Sequence, residues 1–235
     1  MVVPEGWQLL DLHNHTYRSY DARNRPEDYE RAHAAGKFDV LAITEHNRID
    51  GAVELASAAS FPVIVGQEID TSGGELIGLF LLKEIERGRP LDETARTIRD
   101  QGGLVYLPHP FYRLIRHPVR ESERTRLAEA GLIDIVEVAN GGPFTGRANA
   151  LAREWARERD LPAAAGSDAH EPRDIGTCVC AVPPGPVTPG SLPAQLREGR
   201  VIVRRRNVAL QLAAKLRTRT GRAIEGLRRG AMPRR

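Results

Sequence analysis

Short apolar runs and helix-length amphipathic stretches take turns along this chain, and that alternation limits its fold more than any other feature. Candidate strands lie at residues 8–13, 40–44, 62–67, 76–82, 104–107, 133–139 and 163–166, with candidate helices between them at 26–35, 51–59, 91–101, 121–130 and 147–159. Pro26 and Asp50 mark two helix starts, and Gly36, Gly102 and Gly131 fall where helix C-termini belong. Such alternation builds a parallel sheet or barrel, and 235 residues suit one α/β domain. One junction differs. Around Thr71–Glu75 a Gly-containing, hairpin-length loop replaces the helix, so the barrel should be irregular there. The barrel is expected over 1–182 and a C-terminal extension packed on it over 183–235. The extension opens with Pro183-Pro184-Gly185-Pro186, followed by a helix at 191–199, a strand at 201–203 and an Arg-rich tail.

Aromatics make up only 5% of the chain, so the core must rest on Val, Ile, Leu and Ala. The formal charge is +3, yet 31 Arg face 3 Lys. Either nucleotide-composition bias or an Arg-rich surface for phosphate would give that ratio. No basic stretch followed by an apolar run opens the chain, and no apolar run approaches ~20 residues, so a soluble cytoplasmic protein with no membrane partner is expected. Cys178 and Cys180 share one face of an apolar segment and read as buried structural thiols.

The chemistry-bearing residues gather at the ends of the apolar runs. Asp11, His13 and His15 alternate in Asp11-Leu12-His13-Asn14-His15, so one extended segment can aim two imidazoles at a metal and a carboxylate at an imidazole N–H. His46, Glu68, His109, Glu137 with Asn140, and Asp168 with His170 follow at later ends. In a parallel barrel these ends share one face. A lone His at a strand end is ordinarily structural, but here five of the seven His occupy such ends. His33, mid-helix, reads as a surface residue; His117 lies on a loop near His109. Imidazole and carboxylate without thiolate suit Mn, Fe or Zn, and so many donors need at least two ions, an arrangement that serves displacement at phosphorus.

These motifs resemble the PHP family, the polymerase-and-histidinol-phosphatase domain. The resemblance runs through Asp11-Leu12-His13-Asn14-His15, Glu45-His46, Glu68, His109-Pro110-Phe111 and Gly166-Ser167-Asp168-Ala169-His170, over residues 8 to 180. It implies a distorted (β/α)7 TIM-like barrel, two or three divalent metal ions and phosphoesterase activity. It also implies that Asp21 is an acidic ligand. Glu45 stands where the family usually has Asp, and Glu137 and Asn140 stand where some members supply a further His.

On this reading His13, His15, Asp21, His46, Glu68, His109, Asp168 and His170 hold the ions. Asp11 orients an imidazole, and the catalytic assignments fall on Asp11, His15 and Asp168. Arg113 and Arg147, then Arg48 and Arg116, are the candidate phosphate contacts. The substrate is a small phosphomonoester, a nucleotide or an oligonucleotide end. Two rivals remain: an amidohydrolase, with Lys83 as a carboxylated bridging residue, and a non-catalytic binding module.

Overall fold

In the structure, a computed structural model describing residues 3–112 and 117–204, the apolar runs roll into a nearly closed barrel. The strands are β1 (Gln8–Asp11), β2 (Val40–His46), β3 (Val63–Thr71), β4 (Gly74–Leu79), β5 (Leu104–Leu107), β6 (Ile135–Asn140), β7 (Ala163–Gly166), β8 (Cys178–Val182) and β9 (Arg200–Val203). They hydrogen-bond in the order β7-β6-β5-β4-β3-β2-β1-β8-β9. The helices are α1 (Pro26–Ala34), α2 (Asp50–Ala58), α3 (Leu91–Asp100), α4 (Glu121–Glu129), α5 (Gly146–Glu158) and α6 (Leu192–Glu198). The distorted seven-strand barrel expected from sequence is therefore present, with its irregularity at the expected junction. β3 and β4 form a hairpin, and β4 runs antiparallel to both its neighbours.

Strand alternation sorts the side chains. In β2, Val40 and Ala42 face the barrel interior, whereas Leu41 and Ile43 face α1 and α2. Ile64, Ile77, Leu79, Tyr106, Ile135 and Ala164 fill the interior with Cys178 and Cys180, both buried free thiols as expected. α3 turns Leu91, Ala95 and Ile98, spaced one and two turns apart, onto the outer face of the sheet.

The barrel closes where β1 meets β7. Leu12 N–H donates to the Ala165 carbonyl at 3.3 Å, and just beyond the strands Asp168 N–H donates to His13 O at 2.8 Å. Past the expected boundary at 182, α6 packs on the barrel core and β9 pairs with β8, so the sheet continues to Val203. Residues 113–116 and the Arg-rich segment from 205, including the apolar-basic stretch 208–216, lie outside the described residues.

Candidate metal centre

Alternation delivers three of the carboxylates. Glu68 follows Ile64 and Gly66 on the inward face of β3; Glu75 precedes Ile77 and Leu79 on β4; Glu137 lies between Ile135 and Ala139 on β6. Asp168 follows β7 in the left-handed region at φ +48°, and His109, between two prolines, has φ +28°. Such backbone is costly for bulky residues and gathers at functional sites.

The His13 ring sits between two carboxylates. Nδ1 lies 3.0 Å from Glu137 Oε1, so it carries a proton, and Nε2 points inward, a bare lone pair once the ring is neutral. His15 is set by a hydroxyl. Ser19 Oγ gives its one proton to Glu45 and accepts from His46 N–H at 3.1 Å. Toward His15 Nδ1, 3.4 Å away, it can then only accept, which turns His15 Nε2 inward as well. The two Nε2 atoms are 3.2 Å apart. Glu68 Oε2 lies 3.4 Å from each, and Asp168 Oδ1 lies 3.3 Å from His15 and 3.7 Å from His13. With both rings neutral, as metal ligands must be, four acceptors converge with no donor among them, which is the environment a cation requires.

Further donors extend this nest on two sides. On one, His46 Nε2 and His170 Nε2 lie 3.4 Å and 3.3 Å from the two oxygens of Asp21. On the other, His109 Nε2 lies 3.0 Å from Glu68 Oε1 and 4.0 Å from Glu75 Oε2. Glu68 thus joins the groups, with Oε2 toward His13, His15 and His46 and Oε1 toward His109. His15, His46 and His170 form one overlapping donor set, His13, His15 and Asp168 a second, and Glu68, Glu75 and His109 a third.

The charges follow from packing so many groups together. Burial opposes a proton on His13, but Glu68, Glu137 and Asp168 outweigh it and hold the ring well above the usual imidazole range. Burial and the neighbouring His46 and His170 push His15 well below that range. Glu68 and Asp168 are held far below ordinary carboxylates by the facing imidazoles, despite burial. Burial and the charge of Glu68 push Glu75 up to about 8. His109 is pushed up to about 9, as its hydrogen bond to Glu68 overcomes burial. In the metal-free protein, protons take the place that cations would fill.

All eight residues expected as ligands meet in this cluster. Asp11 does not. The strand ends at Asp11, so its carboxylate leaves the face of the two imidazoles and accepts from Ser167 N–H (2.8 Å), Ser167 Oγ (2.5 Å) and Gly176 N–H (3.0 Å). It ties the turn carrying Asp168 to β1, and Glu137 and Ser19 orient the imidazoles instead. Asn140 Nδ2 donates to Glu137 at 3.0 Å and to Asp168 at 3.3 Å. Arg48 forks onto Asp50 at the surface. Arg147 is exposed on the first turn of α5, and Arg113 and Arg116 lie outside the described residues. His33, expected at the surface, is half-buried against Phe38 and Phe61, its Nδ1 3.0 Å from Phe38 O. Lys83 is exposed beyond the opposite end of β4 from Glu75, which removes the amidohydrolase-like bridge. Sequence reading missed Glu75, although its alternation with Ile77 and Leu79 marks it as inward.

A family model described as the PHP domain matches residues 11–130, just over half of the chain. The chain belongs to the PHP family. A second model, described as PHP-associated, matches residues 146–201. An uncharacterized protein of Methanocaldococcus jannaschii is 35% identical over 155 residues, covering 60% of this chain and 87% of that protein. Among solved structures, a two-domain protein from Bacteroides vulgatus containing a predicted PHP-like metal-dependent phosphoesterase superposes with a TM-score of 0.68 at 20% identity. It covers 87% of this chain and 68% of its own. Endonuclease Q, in complex with a 27-mer duplex substrate carrying an abasic lesion at the active site, superposes with a TM-score of 0.59 at 15% identity. There 84% of this chain matches 58% of that one. At these identities the two structures establish the shared PHP fold.

Proposed function

We propose that this protein is a metal-dependent phosphoesterase, acting on a small phosphomonoester, a nucleotide or an oligonucleotide end. The observation that carries the reading is the convergence of His13 Nε2, His15 Nε2, Glu68 Oε2 and Asp168 Oδ1, all of them acceptors once the two rings are neutral. Manganese, iron or zinc fits this mixed imidazole and carboxylate set, and the overlapping groups offer room for two or three ions. When bound, such ions supply positive charge for a phosphoryl group and make water acidic enough to attack it.

The protein's own groups do the rest. His13, His15, Asp21, His46, Glu68, His109, Asp168 and His170 hold the ions, with Glu75 added to the set. Glu137 and Ser19 keep the two imidazole lone pairs aimed inward. Asn140 fixes the Asp168 carboxylate. Arg147, exposed on the first turn of α5, is the candidate contact for substrate phosphate. The DNA-sized substrate of endonuclease Q supports including oligonucleotides, since this chain shares the fold that presents it. A cytoplasmic setting accords with two free thiols.

A phosphate-release screen with added Mn²⁺ tests the reading. Sugar phosphates, nucleotides, bisphosphates and short oligonucleotides are compared on wild type and His13→Ala, with lactams and dihydropyrimidines alongside. Release of phosphate that His13→Ala abolishes is expected. Activity that survives the substitution, or cleavage confined to the lactams and dihydropyrimidines, would refute it.

A further inference from the structure

The loop between β6 and α5, which starts at the Asn140 that contacts Asp168, holds an apolar ring out in water. Phe144 has φ +60° and is 59% exposed. A non-glycine residue keeps such backbone only where its surroundings impose it. Here Thr145 Oγ1 donates to the Asn140 carbonyl at 2.8 Å, Asn149 Nδ2 donates to that carbonyl at 3.2 Å, and the Tyr112 hydroxyl donates to Pro143 O at 2.6 Å. The loop starts at Asn140, whose amide already reaches Asp168. Rigidity and strain thus serve to display a side chain that the core does not use.

Phe144 lines a cavity of about 790 Å³ with Phe111, Leu151, Arg120 and Arg147. Arg120 and Arg147 have no acidic partner among the described residues. On the loop after β1 Tyr20 is 57% exposed and stacks on the His46 ring with centroids 5.0 Å apart. In a chain with 5% aromatics, the exposed ones, Tyr17, Tyr20 and Phe144, all stand on the loops after β1 and β6.

We propose that this cavity receives the nucleoside side of a nucleotide or oligonucleotide substrate. The base lies against Phe144 and a flanking phosphate meets Arg147 and Arg120, while the scissile phosphate sits at the donor cluster. The assignment rests on the phosphoesterase reading and narrows its substrate class. A flat apolar ring beside two guanidinium groups without acidic partners among the described residues matches a base joined to phosphate. A bare sugar phosphate offers the ring no flat face. Base stacking on an aromatic is worth ~1–3 kcal/mol, roughly 5- to 150-fold in affinity.

The experiment compares AMP, a 5′-phosphorylated dinucleotide and ribose 5-phosphate on Mn²⁺-supplemented wild type, Phe144→Ala, Phe144→Trp and Arg147→Ala. Because Phe144 is exposed, its replacement leaves the core intact. Phe144→Ala should lose about 10-fold or more in kcat/KM for AMP, mainly through KM, with ribose 5-phosphate unchanged and Phe144→Trp near wild type. Arg147→Ala should weaken the dinucleotide more than AMP. Wild type treating AMP and ribose 5-phosphate alike, or Phe144→Ala losing equally on both, overturns the proposal. If none of the three is hydrolysed, the phosphoesterase reading fails, and titration with the methylenephosphonate analogue of AMP decides the cavity separately. Binding weakened by Phe144→Ala upholds it, and absence of binding overturns it.

Discussion

Glu137 holds His13 from behind with one oxygen and His109 in place with the other. Oε1 lies 3.0 Å from His13 Nδ1 and accepts from the Tyr106 hydroxyl at 3.2 Å, while Oε2 accepts from His109 N–H at 2.7 Å and from the Asn140 amide at 3.0 Å. Donors occupy both oxygens, so this carboxylate orients the ring of His13 and positions His109. Glu137→Gln turns an amide N–H₂ toward a buried donor. Metal affinity should fall about 10- to 100-fold, as for other partners that orient metal ligands, measured by calorimetric titration of the metal-free protein. Unchanged affinity would contradict the orienting role.

Ser19 does for His15 and His46 what Glu137 does for His13 and His109. Ser19→Ala leaves His15 Nδ1 and His46 N–H without their hydroxyl acceptor and frees the buried Glu45 carboxylate of a donor. A loss of about 1–3 kcal/mol in stability is expected from such orphaned buried groups, together with weaker metal binding. Ser19→Thr, which keeps the hydroxyl, should recover much of the metal affinity; a threonine variant no better than alanine would point to packing alone.

Metal uptake should release protons. At pH 7 the metal-free protein carries protons on His109, pushed up to about 9, and on Glu75, pushed up to about 8, and an incoming cation must displace them. Apparent affinity should therefore climb between pH 6.5 and 9. Titrations at pH 7 in two buffers of different ionisation enthalpy would count the protons, and a count of zero would oppose the prediction. The stability of the metal-free form runs the other way. Both groups bind protons more tightly folded than unfolded, so the stabilisation they contribute at low pH is lost as pH rises through about 8 and 9. The metal-free protein should melt lower at pH 9.5 than at pH 6.5.

Gly166 gives His13 its room. A Cβ there would come within 2.2 Å of His13 Cβ and 2.8 Å of Glu137 Oε1. Gly166→Ala should cost about 1–3 kcal/mol by overpacking and lower the number of ions bound, read by thermal melting and elemental analysis. Gly146→Ala, where a Cβ would meet nothing within 4 Å, is the control and should leave both values near wild type.

Much of the barrel was legible because strand–helix alternation is a local signal, and the ligands were legible because each ends an apolar run. What stayed hidden depends on pairing across the barrel. Asp11 shares the spacing of His13 and His15, yet where the strand stops decides its partner, and its partners Ser167 and Gly176 come from the far end of the chain. The clamp on His15 needs Ser19 and Glu45 side by side, a contact set by the loop after β1 and the end of β2. Glu75 was readable by alternation, but without a neighbouring His or Asp it carried no motif.

The seam of the barrel lies at the cluster. Backbone hydrogen bonds from Leu12 to Ala165, Asp168 to His13 and His15 to Ala169 bring the ends of β1 and β7 together, and those same edges contribute His13, His15, Asp168 and His170. Any cation gripped there is a bolt through the closure, a contact between residues far apart in sequence and hence heavily burdened by loop entropy. Chelation should loosen the barrel at that bolt before anywhere else. The amide of Leu12 and those of residues 165–169 should exchange hydrogen faster in the metal-free protein, while the β2–β3 pair keeps its protection. The centre that would cut phosphate esters also serves as the clasp that keeps this barrel shut.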